Sequence, residues 1–466
     1  MSSPKPISKE KRFDWPLCYE AENFILHCLA GFTERNRFAR RLQERMRAET
    51  GTLLLDWVDH LVVAQREEKA LRALGFVDDP LGETPAQWKA LWHPEAMLPR
   101  VLLQRETPPP AGFPSVVAVR CEALADFIVA HGIAHEPEGA PLSRYRRVLV
   151  SEEDGARLEA VERRGYRGYI PARPAGEVEG LLKAAELWRT RPRRFQNDTE
   201  GFRHAHGLLD RLLELVGPDL ACHAVFSEER AYWQTRNRAG QEQKARQDQL
   251  GLGWANHDHH TFRSSRQHFV DLMLALERLG FERRERYYAG AQAGWGAQIL
   301  EQPLEGIVAF CDVDLEPAET EIDFSRRPLP PSSKLGTIGL WIGLHGESFL
   351  EAGLHHLECR FDHQLLRDQL ARRGINTMNP FSDFPFLKQA FTEGERWPVR
   401  RERAERLLNQ GFIDEAQFHQ FVAEGALGSH LENLQRKGGF KGFNQKSVSL
   451  IIQATDPRRP MAEVQT

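Results

Sequence analysis

The stretch GWANHDHHTFRSS, residues 253–265, holds three histidines, His257, His259 and His260, within four positions. This composition fits a polar surface loop, and it equally fits a β-strand that presents ligands to a metal ion. In a strand, alternate side chains face the same side of the sheet. His257 and His259 would then point one way, and Asp258 and His260 the other, unless a bulge interrupts the strand. Matching stretches elsewhere in the chain are needed to decide between loop and strand.

The bulk composition is that of a soluble globular protein, with 466 residues of which 41% are hydrophobic and 27% charged. This length accommodates two to four structural units. The net charge of −4 gives no overall basic field, so we expect no nucleic-acid partner. The apolar runs are too short to span a membrane, and residues 1–13 lack the apolar core of a secretory signal. We therefore expect a cytoplasmic protein without a membrane partner.

The six cysteines are scattered along the chain and include no Cys-x-x-Cys pair. In a chain of this length, such cysteines are typical of reduced, mostly buried thiols. The pattern argues against both a disulfide framework and a zinc knuckle.

One structural unit recurs four times in the sequence, as a short strand, an amphipathic helix that ends near a glycine, and further strands. The predicted first strands cover residues 53–64, 115–121, the opening stretch, and 352–361. The predicted closing strands cover residues 98–106, 145–151, 294–303 and 429–445. The opening stretch is therefore better interpreted as a strand than as a loop.

The repeats predict an α+β protein in two halves. Residues 51–190 form an N-terminal half that we expect to be non-catalytic, and residues 251–460 form a C-terminal half that we expect to bind metal. Polar helical sequence precedes the first half, over residues 1–50, and links the two halves, over residues 191–250. The fourth copy is interrupted by an insertion at about 381–425 whose pattern predicts helices.

Histidines recur at matching points on the first strands of three copies. The first copy has His60 after an aspartate, the third has His259 after an aspartate, and the fourth has His355 and His356 side by side. The second copy, SVVAVRC, has no histidine there. The adjacent pair in the fourth copy leaves open whether His355 or His356 is the functional residue.

The closing strands supply carboxylates that could complete a metal site. Glu432 lies on the fourth closing strand and Glu301 on the third, whereas the first copy has Gln104 at the like position. Two histidines and one carboxylate leave coordination positions open, which suits Fe(II), although Mn, Co, Ni and Zn accept the same ligands. A lone histidine on a strand is typically structural, but the matched set predicts a metal site in the C-terminal pair. His60 lacks such partners and is interpreted as structural.

The stretches HDHHTF, LHHLECRF and HLENLQR resemble the vicinal-oxygen-chelate superfamily, and within it the 4-hydroxyphenylpyruvate dioxygenase family. This resemblance implies tandem βαβββ modules in two halves, with Fe(II) held by His259, His356 and Glu432 in the C-terminal half. Residues 436–456 are similar to the glycine-rich segment and C-terminal helix that cap the active site in that family. The resemblance implies that Phe440 and Phe443 form an apolar wall there.

A second resemblance, to the 2-oxoadipate dioxygenase/decarboxylase family, concerns Arg263. An arginine four residues after the first metal histidine binds a substrate carboxylate in that family, and Arg263 follows His259 at this spacing. A structural ion pair is the alternative role for Arg263. The resemblance makes it the expected catalytic residue.

Together the resemblances imply a non-haem iron dioxygenase that uses O2 to oxidise a small 2-oxo acid by oxidative decarboxylation. The state of oligomerisation is left open, a homodimer included. One rival is a glyoxalase-type isomerase or lyase that uses the metal without redox chemistry, with Glu301 or Glu432 as the base. Binding of both glutamates to the metal would favour that rival. Another is a metal-free binding protein of the same fold.

Overall fold

The computed structural model describes residues 15–105, 113–171, 177–288, 294–319, 322–378, 384–443 and 456–458. The described chain is built on two mixed β-sheets, one in each half, that share a common pattern. In each sheet two antiparallel strands lie at the centre, and each is flanked by the parallel closing strand of its own module. This confirms the expected α+β fold of paired β-α-β modules.

The N-terminal sheet has seven strands in the order β2-β3-β4-β1-β5-β7-β6. Its strands are β1 (Val58–Ala64), β2 (Val77–Asp78), β3 (Trp88–Trp92), β4 (Arg100–Gln104), β5 (Val116–Arg120), β6 (Tyr145–Glu153) and β7 (Ala156–Arg163). The helices of this half are α1 (Tyr19–Arg35), α2 (Arg37–Arg45), α3 (Glu68–Ala73) and α4 (Leu124–His131). They cover one face of the sheet and enclose an apolar core with it.

Three helices connect the halves, as the polar helical pattern predicts. They are α5 (Glu177–Arg189), α6 (Asp198–Gln234) and α7 (Arg238–Asp248). Helix α6 is kinked at Gly217, whose φ of 73° is left-handed, and Pro218 follows it without an amide hydrogen to donate. Along the described chain, no helix combines the length and apolarity that a membrane crossing requires.

The C-terminal sheet has the order β13-β15-β12-β8-β11-β10-β9, and β14 also pairs with β15. Its strands are β8 (His257–Arg263), β9 (Glu282–Tyr288), β10 (Trp295–Gln302), β11 (Ile307–Asp314), β12 (His356–Arg360), β13 (Leu387–Phe391), β14 (Glu395–Trp397) and β15 (Ala426–Arg436). The helices are α8 (Phe269–Arg278), α9 (Thr337–His345), α10 (His363–Ala371), α11 (Arg401–Asn409) and α12 (Glu415–Glu424). The opening stretch is therefore a central strand, as predicted.

A β-bulge interrupts the alternation along this central strand. His259 pairs with Glu358 and His257 with Cys359, so Asp258 is the extra residue. The bulge brings the His257 ring to 5.3 Å from the His260 ring, on the face opposite to His259. The expectation that His257 shares a face with His259 is therefore wrong.

Two predicted closing strands are one strand too early. Residues 294–303 form β10 and residues 145–151 lie in β6, whereas the strands that close these modules are β11 and β7. Every residue of β11 is buried, so the strand lacks the alternating pattern that marks a half-exposed strand. Short turns join β11 to β10 and β7 to β6, so the sequence pattern did not separate the two strands of either pair.

The insertion at 381–425 is helical only in its second part. Residues 384–400 contain β13 and β14, which pair with β15, and α11 and α12 follow them. Local sequence gives little sign of β13, because its conformation is fixed by pairing with a strand about forty residues later. Residues 381–383 lie outside the described chain.

Leu357 tests the packing behind the central strands. It is fully buried on β12, so Leu357→Ala should lower the free energy of unfolding by about 2–5 kcal/mol. Leu274→Ala is the matched control, because Leu274 is 46% exposed on α8, and it should change stability by less than about 0.5 kcal/mol. Chemical denaturation measures both. Equal losses in the two variants would contradict the packing described here.

Candidate metal centre

Three neighbouring strands bring four ligand-type side chains to one face of the C-terminal sheet. His259 on β8 pairs with Glu358 on β12, and Thr261 pairs with His356. On the other side of β12, Glu358 pairs with Glu432 on β15. Residues two apart share a face, so each pairing adds a side chain to the same cluster.

His259, His356, Glu358 and Glu432 are all buried, and each offers a ligand atom within 4.8 Å of the others. Glu358 Oε1 contacts His259 Nε2 and lies 2.9 Å from His356 Nε2. Glu432 Oε2 lies 3.3 Å from His356 Nε2. Gln389 on β13 donates a hydrogen bond of 2.7 Å to the other oxygen of Glu432.

Burial sets the protonation of these groups in the metal-free protein. It raises the pKa of Glu432 to about 8, and burial together with the nearby Glu432 raises the pKa of Glu358 well above its usual range. Burial lowers the pKa of His259 to about 4 and that of His356 well below its usual value. Without metal, the cluster therefore combines neutral imidazoles with carboxyl groups that are hard to ionise. A bound divalent cation would favour the ionised form of these carboxyl groups.

The orientation of His259 is fixed from behind by Asp258. The Asp258 carboxylate lies 3.1 Å from Nδ1 of His259 and 3.2 Å from Arg436. Burial opposes its ionisation, but the Arg436 guanidinium and His259 hold the pKa of Asp258 far below its usual range. The ionised Asp258 therefore accepts a hydrogen bond from the Nδ1–H group of His259. This leaves the Nε2 lone pair directed at the cluster, as in histidines that ligate metals.

A second group of imidazoles overlaps the first. His355, His356 and His430 offer atoms within 4.8 Å of one another, but this group contains no carboxylate. His355 Nδ1 lies 3.2 Å from the carbonyl oxygen of Gly428. Only His356 belongs to both groups, and the adjacent His355 is not part of the histidine–glutamate cluster.

Arg263 lies in the same cavity as the cluster. The cavity encloses about 30 Å³ and is bordered by Arg263, Asp312 and three phenylalanines, Phe310, Phe391 and Phe443. Arg263 Nε lies 3.4 Å from Asp312, and its Nη1 is buried without a hydrogen-bond partner among the described residues. This space is large enough for an ion with a water molecule, so a larger ligand requires side chains to move.

The donor set fits a divalent metal. Glu358 Oε2 and Glu432 Oε2 are buried atoms without hydrogen-bond partners in the described chain. Two imidazoles and two carboxylates are ligands that Fe(II), Mn and Zn accept. A bound cation would use acceptor atoms that the fold otherwise leaves unsatisfied.

The structure separates the sequence candidates. His259, His356 and Glu432 come together, whereas Glu301 lies elsewhere and pairs with Lys441 at 3.1 Å. Glu358 was missed by the sequence analysis, although it lies two residues after His356 and so shares its strand face. The proposed cap falls largely on residues 444–455, which lie outside the described chain.

The N-terminal half has only part of this arrangement. His60 on β1 pairs with Ala118 on β5, as His259 pairs with Glu358 in the C-terminal half. Two positions earlier, β5 has Val116 where β12 has its histidine. This half therefore lacks the second histidine and the adjacent glutamate.

The N-terminal half nevertheless retains one carboxylate. Glu159 on β7 pairs with the β5 residue opposite His60, which is the register position that Glu432 has on β15. The expectation that Gln104 holds this position is wrong, because Gln104 on β4 pairs with Ala64 on β1, away from His60. Arg157 lies 3.0 Å from Glu159, so a guanidinium neutralises this carboxylate.

No family model matches the chain, and no curated protein sequence matches it. Among solved structures, a mutant of 4-hydroxymandelate synthase from Streptomyces coelicolor is 15% identical over 86% of this chain and 98% of its own, with a TM-score of 0.28. The Mn(II)-bound glyoxalase from Novosphingobium aromaticivorans is 12% identical over 82% of each chain, with a TM-score of 0.19. Methylmalonyl-CoA epimerase from Mycobacterium tuberculosis is 12% identical over 39% of this chain and 87% of its own, with a TM-score of 0.22. Because these scores are low, the fold assignment rests on the strand order of the two sheets.

Asp258 offers a test of the site that leaves the four candidate ligands intact. Asp258→Asn removes the charge that orients His259, so metal affinity should fall by about 10–100-fold. Competition against a colorimetric chelator measures the dissociation constant. Asp59→Asn, the matched change beside His60, should leave affinity unchanged. Equal effects in both halves would contradict the assignment of the site to the C-terminal sheet.

Proposed function

We propose that the C-terminal half is a metal-dependent dioxygenase centre, with Fe(II) bound by His259, His356 and Glu432 and a small 2-oxo acid as substrate. The observation that carries the proposal is the buried cluster of two histidines and glutamate with Arg263 in the same cavity. Bound Fe(II) would supply the redox chemistry with O2 that oxidative decarboxylation requires. The resemblance of HLENLQR and HDHHTF to the dioxygenase family supports this choice of chemistry.

The chain's own residues would bind and orient the substrate. The planar guanidinium of Arg263 suits a bidentate pair with a carboxylate, and its free Nη1 is available for one. Asp312 competes for that guanidinium, but burial raises the pKa of Asp312 to about 7, which weakens the competing ion pair. An incoming substrate carboxylate would therefore displace a partner that is only partly charged near neutral pH.

Aromatic side chains would keep water out of the site. Phe443 lies 4.8 Å from the His259 ring and 5.2 Å from Phe310, measured between ring centroids. Phe391 lies 5.5 Å from the His356 ring. These rings enclose the cluster, so substrate entry would displace at least one of them. Gln389 would hold Glu432 in place through its hydrogen bond during this movement.

One observation favours a second candidate function. Glu358 gives the cluster four donors, and a fully coordinated metal is better suited to the glyoxalase-type isomerase or lyase. In that case Glu358, rather than Glu301, would be the fourth ligand or the base. In the dioxygenase, Glu358 would instead leave its metal position to substrate or O2. The number of protein ligands distinguishes the two functions.

Reconstitution with Fe(II) under anaerobic conditions tests the proposal. The loaded full-length protein should consume O2 and release CO2 with at least one member of a panel of 2-oxo acids. His259→Ala, His356→Ala and Glu432→Ala should each abolish iron binding, because each removes a ligand, and His60→Ala should not. Bound iron without O2 uptake on the whole panel would contradict the dioxygenase.

Glu358→Gln separates the two enzyme functions in the same assay. The dioxygenase proposal expects this variant to retain stoichiometric iron and measurable O2 uptake. Loss of iron equal to that in Glu432→Ala would favour the four-ligand alternative. Glu301→Gln is the control and should behave as the wild type. Failure of the wild type to retain any metal would favour a binding protein.

Metal affinity should rise with pH. The pKa of Glu432 is about 8 without metal, so below that pH the metal must displace its proton, while His259, with a pKa of about 4, is already neutral. The apparent dissociation constant should therefore fall by up to about tenfold per pH unit between pH 6 and 7.5, and level off above the pKa. Chelator competition at several pH values measures this. An affinity independent of pH over this range would contradict the burial-raised pKa.

A further inference from the structure

A second cavity lies between the two halves, apart from the metal centre. It has a volume of about 460 Å³ and opens where the starts of β1 and β8 face the ends of β5 and β12. Sites for small molecules have volumes of about 300–1,000 Å³. Both halves contribute to its walls, so a ligand bound there would contact both sheets.

Three arginines that line this cavity have no carboxylate within ion-pair distance among the described residues. They are Arg120 at the end of β5, Arg360 at the end of β12, and Arg167. Arg167 is held by a hydrogen bond of 2.9 Å from its Nε to the carbonyl oxygen of Pro303. Its guanidinium packs so closely on Gly306 that a Cβ there would collide with it.

The carboxylates that face the cavity are already engaged or lie at its rim. Four are paired with a cation each, namely Asp59 with Arg163, Asp79 with Arg100, Asp258 with Arg436, and Glu301 with Lys441. Asp56 interacts electrostatically with Arg360, but burial raises the pKa of Asp56 to about 6, and its carboxyl group accepts a hydrogen bond of 2.7 Å from the Leu53 amide. Glu282 is exposed. Among the described residues, Arg120 and Arg167 have no such carboxylate partner, and the carboxylates that act on Arg120, Glu305 and Asp59, are themselves paired with His223 and Arg163.

All but one of the unsatisfied polar atoms in the described cavity wall are hydrogen-bond donors. Trp92 Nε1, Arg284 Nε, Arg360 Nε and both Nε and Nη1 of Arg283 are buried without acceptors. The exception is His93 Nδ1, which is an acceptor because Nε2 of this ring donates to the Leu74 carbonyl oxygen. The carboxylates of the wall have no such unsatisfied oxygen. Since buried polar groups in proteins are normally paired, this one-sided excess of donors indicates a ligand that supplies acceptors.

The electrostatics agree with the geometry. Burial, with Arg100 and Arg120 adding to it, lowers the pKa of Arg167 to about 9. Burial also lowers the pKa of Arg120. At both arginines burial therefore opposes the charged form, which a nearby anion would favour.

The walls also contain an apolar surface. Trp57, Trp92, Leu81, Leu98 and Pro99 line the cavity beside the cations. We propose that this cavity binds a small organic anion, a phosphate ester or carboxylate attached to an apolar body, with its anionic group between Arg120 and Arg167. Planar guanidinium groups bind carboxylates and phosphates through paired hydrogen bonds. None of the four cluster residues lines this cavity, so its ligand would not bind the metal itself.

Phenyl phosphate is a suitable probe, because it combines a dianion with an aromatic body. It should quench the fluorescence of Trp57 and Trp92 saturably and raise the melting temperature of the full-length protein. Phenol, which lacks the charge, should do neither, and sulfate, which lacks the apolar body, should bind more weakly. Arg120→Gln and Arg167→Gln should each weaken phenyl phosphate binding at least tenfold, and Arg120→Lys should weaken it less.

Two controls make the result decisive. Arg37→Gln removes an exposed arginine of the N-terminal half and should bind phenyl phosphate as the wild type does. Without probe, Arg120→Gln should not lower the melting temperature, because it removes an uncompensated charge, and its metal affinity should be unchanged. The proposal is overturned if the double variant R120Q/R167Q binds the probe within twofold of the wild type. It is equally overturned if Arg37→Gln loses binding or if Arg120→Gln destabilises the probe-free protein.

Discussion

The antiparallel pairing of β8 with β12 is the constraint on which the candidate metal centre depends. Its register sets His259 opposite Glu358 and His356 opposite Thr261, and the parallel pairing of β12 with β15 then adds Glu432. A slip of one residue in either pairing would turn these side chains to the opposite face, which packs on the helices. The bulge at Asp258 preserves the register of His259 while it places the carboxylate against the imidazole. The precision of the cluster therefore comes from backbone hydrogen bonds along three strands.

The sequence indicates the parts of this arrangement that repeat. The Asp-His step at Asp258 recurs at Asp59, and the spacing Leu-Glu-x-x-x-Arg of residues 431–436 recurs at residues 158–163. These repeats allow the strands and the ligand candidates to be predicted from the sequence. The spacing His356-x-Glu358 also places both side chains on one face of a strand, so Glu358 was predictable as well. The roles of β11 and β13 could not be predicted from the sequence, because β11 is buried throughout and β13 depends on a distant partner strand. Pairing between distant strands, rather than local preference, decides such elements.

The two halves differ in what lies beside a buried glutamate at the same position of the sheet. In both, a buried glutamate lies at one register position of the sheet, as Glu432 in one half and Glu159 in the other. Glu159 has the Arg157 guanidinium at 3.0 Å, so its charge is balanced within the chain. Glu432 instead has Glu358 beside it, and burial favours the protonated form of both. Glu159 therefore has its counter-charge within the chain, whereas a bound metal ion would supply the positive charge that lets Glu432 and Glu358 ionise.

Internal symmetry also explains why positive charge accumulates between the halves. Each sheet has an aspartate–histidine pair with an arginine behind it: Arg163 lies 2.7 Å from Asp59, and Arg436 lies 3.2 Å from Asp258. Each central strand also ends in an arginine, two residues beyond Ala118 on β5 and two beyond Glu358 on β12. Because the aspartates are already neutralised from behind, they do not pair with these terminal arginines, which both line the cavity between the halves. Arginines contributed by both halves repel one another. An anion bound between the sheets would lower this repulsion and stabilise the contact between the halves.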